Sequence, residues 1–358
     1  MITGHGGNKK NLAEKTGCRV DDIIDMSCNL NPLGPPETIE KLICDNLDKI
    51  RSLPEPDAAA IRKGFASFHG IDSKNVVAGN GTTWFIYTIP NALGSKKAII
   101  SGPSYSDYKD ACMMHKTAFL HCLAKEQDNF DPDIDEISRM AKGADTVFIC
   151  NPNNPTGSLI SREKLEYLIQ KHENTVFIID ESYLPFVDRA NDYSLVTKTL
   201  HENLIVLSSM SKIFRIPGLR TGFLSAARGL VEKIMTCYQP WSVNALAQAV
   251  IEDIFCHHER IEPFFLKTRE YIKEEKKVFI KSLQCIKGIK LFDSHTYFIL
   301  ARLTGGVNSG DFCSKIGQHK ILIRDCSNFY GLSDQYVRFS LKERRTNLHL
   351  ADLIRQTV

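Results

Sequence analysis

The sequence lacks any apolar run of the ~18 residues that a membrane-spanning helix needs, so no transmembrane segment is expected. Its opening, MITGHGGNKKNLAEKTG, has no apolar core of signal-peptide length, and no secretory leader is expected there. An excess of one charge is also missing. Forty-five Lys and Arg stand against 42 Asp and Glu, a net charge of +3, and no long basic run accompanies it. That argues against a protein held to nucleic acid by charge. The eleven cysteines include no CxxC pair. Their scatter reads as free thiols in a reducing cytoplasm, not as a disulfide frame. Cys256, His257 and His258 are adjacent, and neighbouring residues on a helix point in different directions, so no metal site is expected. The sequence shows no internal repeat, low-complexity tract or flexible linker.

What is present is an ordinary globular composition, 43% hydrophobic and 24% charged. A chain of 358 residues can bury a large core and is expected to form two domains. One stretch, Thr175 to Gly222, organises the rest. It holds two apolar runs, Thr175–Ile179 and Asn203–Leu207, with the length and composition of buried strands. The first ends at Asp180. The second leads into Ser208, Ser209, Met210, Ser211 and Lys212. A lysine just past a buried strand, flanked by hydroxyls and followed by Arg220, suits a phosphorylated aldehyde. The amine can form a Schiff base, and the hydroxyls and guanidinium can hold a phosphate. Alone, such a lysine is more often an ordinary loop residue. It gains weight from its partners.

Those partners recur along the chain. Residues 1–35 are turn-rich, with a short helix expected at Asn11–Thr16 and a short strand at Asp25–Cys28. Their His5, Asn8, Asn29 and Asn31 would suit a small anion, but such a segment also fits a flexible tail. Helices are expected at Glu37–Lys49 and Asp57–Phe68, the second with Asp57 as its N-cap. Val76–Ala78 reads as a strand running into GNGTT and then a helix from Trp84, a ready anion site. Five strands end in polar motifs: GNGTT, GPSY, NPNNPTG, DESY and SMSK. Strand and helix alternate, so the fold class expected is α/β, a three-layer α/β/α body around a mostly parallel sheet. Ligands in such sheets sit at the carboxyl ends of the strands, where these motifs fall. After a long charged helix, Glu262–Leu283, come short alternating strands in KLFDS, YFILARL, ILIRDC and YVRFSLK. They suggest a smaller α+β domain to which the N-terminal segment returns. The expected division is 37–270 against 1–36 with 271–358.

The set NPNNPTG, DESY, SMSK and Arg220, eight residues after Lys212, resembles the fold type I aminotransferase family, which binds pyridoxal 5'-phosphate. The resemblance implies that Lys212 carries the cofactor and moves the proton. It implies that Asp180 pairs with the pyridinium nitrogen, that Tyr183 and Asn154 bond the ring's phenolic oxygen, and that Tyr105 stacks on the ring. Ser209, Ser211, Arg220, Gly81 and Thr82 would bind the cofactor phosphate. It also implies a homodimer with the site at the subunit interface.

Four further stretches narrow the resemblance: HGGN at His5–Asn8, SCNLNPLG at Ser27–Gly34, PWSVNALAQ at Pro240–Gln248 and ILIRDCSNFYGL at Ile321–Leu332. They are similar to the threonine-phosphate decarboxylase branch, which serves cobalamin biosynthesis. By that resemblance Arg324, Arg338 and Asn154 hold the charged groups of a phosphorylated amino acid, while His5 and Asn29 place its phosphate. L-Serine phosphate decarboxylation and histidinol-phosphate transamination are the alternatives. A cofactor-sensing regulator would need a DNA-binding module, and none is expected ahead of GHGGN. Two departures stand out. Glu55-Pro56-Asp57 stands where the family has Tyr-Pro-Asp, and a carboxylate there would repel a phosphate, so Glu55 points away or the loop is rebuilt. GNGTTW replaces an acidic GNGETE-like version.

Overall fold

The structure, a computed structural model, describes residues 5–199 and 201–358. Its strands in chain order are β1 (Ile24–Asp25), β2 (Val76–Gly79), β3 (Lys97–Gly102), β4 (Ala118–Leu123), β5 (Thr146–Cys150), β6 (Val176–Asp180) and β7 (Leu204–Ser209). Then come β8 (Gly222–Ala226), β9 (Ile289–Leu291), β10 (Phe298–Leu303), β11 (Ile321–Leu322), β12 (Arg324–Asp325) and β13 (Tyr336–Ser340). Seven of them form one sheet in the order β2-β8-β7-β6-β5-β3-β4. Its middle strands are apolar on both faces: Val147, Phe148, Phe177, Ile178, Ile205 and Val206 are all fully buried. That is the pattern of a sheet covered by helices on both sides.

Strands β3 to β7 pair in parallel, as the alternation of elements implies. The exception is β8, which runs antiparallel between β2 and β7. Sequence reading does not find it, because GFLSA carries a glycine, a serine and an alanine and no β-branched residue.

A second, four-stranded sheet has the order β12-β13-β10-β9 and is antiparallel throughout. The N-terminal segment does return to this region. β1 pairs in parallel with β11, and the N–H of Ser340 donates to the carbonyl of Met26 at 2.9 Å. The strand expected at Asp25–Cys28 is only Ile24–Asp25. It stops because Asp25 Oδ1 accepts from the N–H groups of Ser27 and Cys28 and from Ser27 Oγ, a side-chain turn that replaces the ladder.

Two helix starts differ from expectation. The helix after β2 begins at Gly81, not Trp84, so its open N-terminus falls in the glycine turn. The helix expected from Asp57 spans Ala59–His69, and Asp57 does not cap it. Ala58 sits in the left-handed region at φ 50°, which swings Asp57 toward Arg62 at 3.1 Å. Glu55 takes the capping role, its Oε2 accepting from the N–H of Ala60 at 2.8 Å. The Glu55 peptide is clamped by the side chain of Gln248, which accepts from its N–H and donates to its carbonyl. The carboxylate is thus turned onto its own helix. Among the described residues, no helix is long and apolar enough to cross a membrane.

Candidate active site

The polar strand ends meet at one edge of the large sheet and open on two adjoining cavities. One, of about 150 Å³, is lined by Gly81, Thr82, Tyr105, Asn154, Asp180, Tyr183, Ser209, Ser211, Lys212 and Arg220. The other, of about 140 Å³, is lined by His5, Asn29, Asn154, Arg324 and Arg338. Tyr105, Asn154, Tyr183 and Lys212 form the wall between them. The residues that the family resemblance assigns to cofactor and substrate therefore line one cavity or both, whereas Asn8 and Asn31, also expected to suit an anion, line neither: Asn8 accepts from the N–H of Asn11, and Asn31 donates to the Ile213 carbonyl and to Thr268 Oγ1. Thr83, Tyr108, Cys150 and Ser182 line the first cavity, and Ser27, Cys28 and Asn328 the second, without having been anticipated.

One end of the first cavity is a cradle. Gly81 opens the Gly81–Ala92 helix at φ +77°, and a Cβ there would stand 2.7 Å from Arg220 Nη2. A Cβ at Gly222 would stand 2.7 Å from the Thr82 nitrogen. Ser211 Oγ is buried there with no hydrogen-bond partner among the described residues. A helix N-terminus, two serine hydroxyls and a guanidinium around one small space fit a phosphate. The orphaned hydroxyl is the group such an anion would satisfy.

At the other end, Asp180 closes β6. Its Oδ2 accepts from the Tyr108 hydroxyl at 2.8 Å and its Oδ1 from the Ser182 N–H at 3.0 Å. Burial pushes this carboxyl above its ordinary range, while the bonds from Ser182 and Tyr108 and the charge of Lys212 pull it back. Burial likewise pulls the Lys212 amine below its ordinary value. Arg220 and Arg338 act with burial; Cys28 and Asp180 oppose it. A lysine amine with a depressed pKa is a better nucleophile near neutral pH. This end, with a carboxylate, a lysine and the phenols of Tyr105 and Tyr183, fits the pyridine ring of the cofactor that the resemblance implies.

The second cavity is dominated by two guanidiniums. The register of β12 on β13 sets Arg324 opposite Arg338. Arg338 Nη2 donates to the Ser27 carbonyl at 2.6 Å, and its Nη1 donates to Asn154 Oδ1. Its Nε is buried without a partner. Arg324 donates to the Asp325 carbonyl at 2.7 Å and to Asn328 Oδ1 at 2.8 Å. These partners are all neutral. Burial lowers the Arg324 pKa, and the charge of Arg338 adds to it, with Cys326 and Asp325 opposing. Two buried cations side by side call for an anionic ligand to offset their desolvation. His5 stands at the rim, its Nε2 3.6 Å from Asp107 Oδ1 and its ring edge-on to Tyr105 at 5.9 Å. Asn29 is bonded inward: its Nδ2 donates to Tyr183 Oη at 3.3 Å, and its Oδ1 accepts from Ser340 Oγ at 2.7 Å.

Of the residues the sequence did not flag, Tyr108 carried a signal. It lies three positions after Tyr105 in GPSYSDY, a spacing that places both near one helix face. Ser27 acts through its carbonyl, which no residue letter records.

Comparison with known proteins agrees with this geometry. A family profile described as aminotransferase class I and II matches residues 21–354. The adenosylcobalamin biosynthesis bifunctional protein CobDQ of Leptospira interrogans is 33% identical over 97% of this chain, which spans only 40% of that protein's length. The crystal structure of L-threonine-O-3-phosphate decarboxylase from Porphyromonas gingivalis superposes with a TM-score of 0.83. It is 29% identical, with 92% of this chain and 98% of the other covered. A histidinol-phosphate aminotransferase of Methanocaldococcus jannaschii is 27% identical over 94% of this chain and 89% of its own length.

Proposed function

The chain belongs to the aminotransferase class I and II family, and within it we propose a decarboxylase of an O-phosphorylated hydroxy amino acid. The substrate is L-threonine O-3-phosphate and the product (R)-1-amino-2-propanol O-2-phosphate, for the side arm of cobalamin. The family's enzymes use pyridoxal 5'-phosphate. The observation that carries the reading is the facing pair Arg324 and Arg338, buried with neutral partners and opening toward Lys212. A phosphorylated amino acid brings two anionic groups to two cations. Relatives named for threonine-phosphate decarboxylation and for adenosylcobalamin biosynthesis support it.

When bound, pyridoxal phosphate supplies a sink for the electron pair of the broken bond. This chain's residues do the rest. Lys212 holds the cofactor and returns a proton to the substrate carbon. Asp180, which accepts from Tyr108 and Ser182, would pair with the ring nitrogen. Tyr183 and Asn154 bond the ring oxygen, and Tyr105 lies against the ring face. Gly81, Thr82, Ser209, Ser211 and Arg220 enclose the phosphate. Arg338 and Asn154 would hold the substrate carboxylate, and Arg324, in the cavity that His5 also lines, would receive the substrate phosphate. The placing of the substrate carboxylate by Arg338 would select decarboxylation over transamination.

The division into 37–270 and 1–36 with 271–358, a homodimer and a cytoplasmic location complete the proposal. Histidinol-phosphate transamination is the second reading, favoured by the M. jannaschii relative. L-Serine phosphate lacks one methyl, which a pocket discriminates by only ~1–3 kcal/mol. The test is a product assay with L-threonine phosphate, L-serine phosphate, and histidinol phosphate with 2-oxoglutarate. Carbon dioxide from threonine phosphate is expected, with no need for 2-oxoglutarate. Glutamate formed from histidinol phosphate instead would replace the reading. The purified protein should show a visible cofactor band. Lys212→Ala should lose that band and about 10²–10⁴-fold in turnover.

A further inference from the structure

We propose that Asn29 is a positioning residue that turns the proton of the Tyr183 hydroxyl into the cofactor cavity. The inference rests on reading that cavity as the pyridoxal phosphate site. Its basis is the direction of two hydrogen bonds. Ser340 Oγ donates to Asn29 Oδ1 at 2.7 Å, and the other end of the amide faces Tyr183. That end is Nδ2, which donates to Tyr183 Oη at 3.3 Å. A phenol oxygen that accepts from an amide N–H must send its own proton elsewhere. Asn29, Ser340 and Tyr183 are all buried. The Tyr183 ring is wedged edge-on against Phe298 at 5.1 Å. What remains open to the hydroxyl is the space it shares with Lys212 and Asn154.

Ser340 is itself fixed, since its N–H donates to the Met26 carbonyl, and its strand, β13, pairs with β10. The orientation of the Tyr183 proton is thus set by the second sheet through one amide. Burial raises the Tyr183 hydroxyl; Arg338 and the Asn29 bond oppose it, which favours donation outward. The sequence expectation gave Asn29 to the substrate phosphate. Here an N–H group of that amide is already engaged by the phenol.

A hydroxyl donating to the ring oxygen of the cofactor draws charge from it. That weakens its hold on the proton it shares with the Lys212 nitrogen and lowers the pH at which the proton leaves. The experiment titrates the visible band of the cofactor-loaded protein, without substrate. Asn29→Ala should raise the midpoint by about one pH unit, the size of one differential hydrogen bond. Asn29→Asp should raise it further, because a carboxylate takes the Tyr183 proton for itself. Ser340→Ala, which leaves Asn29 in place but frees its amide to turn, should shift it the same way by less, and decides the matter where the Asn29 variants do not fold. A midpoint unmoved in Asn29→Ala, with KM for threonine phosphate raised, would overturn the inference and return Asn29 to the phosphate. A wild-type protein without a band would instead overturn the cofactor reading, and this inference with it.

Discussion

Burial pushes the Asp180 carboxyl above its ordinary range, and the Tyr108 hydroxyl is one of the donors that pull it back. Tyr108→Phe removes that bond and leaves the ring in its packing against Phe148. It should weaken cofactor binding by about 1–3 kcal/mol, read as the dissociation constant of pyridoxal phosphate from the apoprotein. Arg338→Lys keeps the charge but loses the fork that reaches both Ser27 and Asn154. KM for threonine phosphate should rise about 10–100-fold, the cost of a lost charged hydrogen bond. At this scale the sequence was informative wherever chemistry needs a particular side chain. Lys212, Asp180 and Arg220 announced themselves by type and order. What stayed hidden were contacts made through space or through the main chain. Tyr108 belongs to a different motif from Asp180, and the carbonyl of Ser27 could belong to any residue.

Elements were readable in proportion to their burial. β6 is built from β-branched and aromatic residues up to its closing Asp180, and the sequence located it to within a residue. β8 was missed because its small residues are chosen for close approach: a side chain at Gly222 would meet the Thr82 nitrogen. Helix starts were less legible, since a cap depends on backbone direction that residue type does not determine. Asp57 has the right chemistry for a cap and the wrong place. Glu55, four residues ahead of Ala59 where the helix begins, makes the bond as Ala58 turns the chain. Glu55→Ala should therefore cost about 1 kcal/mol of stability, seen as a lower urea midpoint, and Glu55→Gln should restore part of it. A cofactor-phosphate role for Glu55 would instead show as a change in pyridoxal phosphate affinity at unchanged stability.

The order of strands in the large sheet could not be read at all, because pairing between distant strands leaves no local pattern. The joining of the two sheets was equally silent. Glu126, in the turn after β4, accepts from Lys290 of β9, Arg302 of β10 and Tyr336 of β13. Burial alone would raise its carboxyl, but Tyr336, Lys290 and Arg302 outweigh that and hold it at about 2, against an ordinary 4.5. The unfolded chain therefore takes up this proton first. Stability from Glu126 is complete above about pH 4.5 and is lost as the pH falls toward about 2. Glu126→Gln should flatten that part of the acid-denaturation curve. Added salt should shrink the difference between the two proteins, since the pairs are partly exposed.

The bonds from Arg338 to Ser27 and from Ser340 to Asn29 each join residues 311 positions apart. A ribosome releases the chain from its first residues onward, so this corner of the molecule waits until the chain has grown past Ser340. The large sheet can be complete by Ala226, more than a hundred residues earlier in synthesis. The scaffold can thus fold while the chain is still growing, whereas the pocket cannot. A chain stopped before β13 would carry the cradle of Gly81, Ser211 and Arg220 without Arg338 and Ser340.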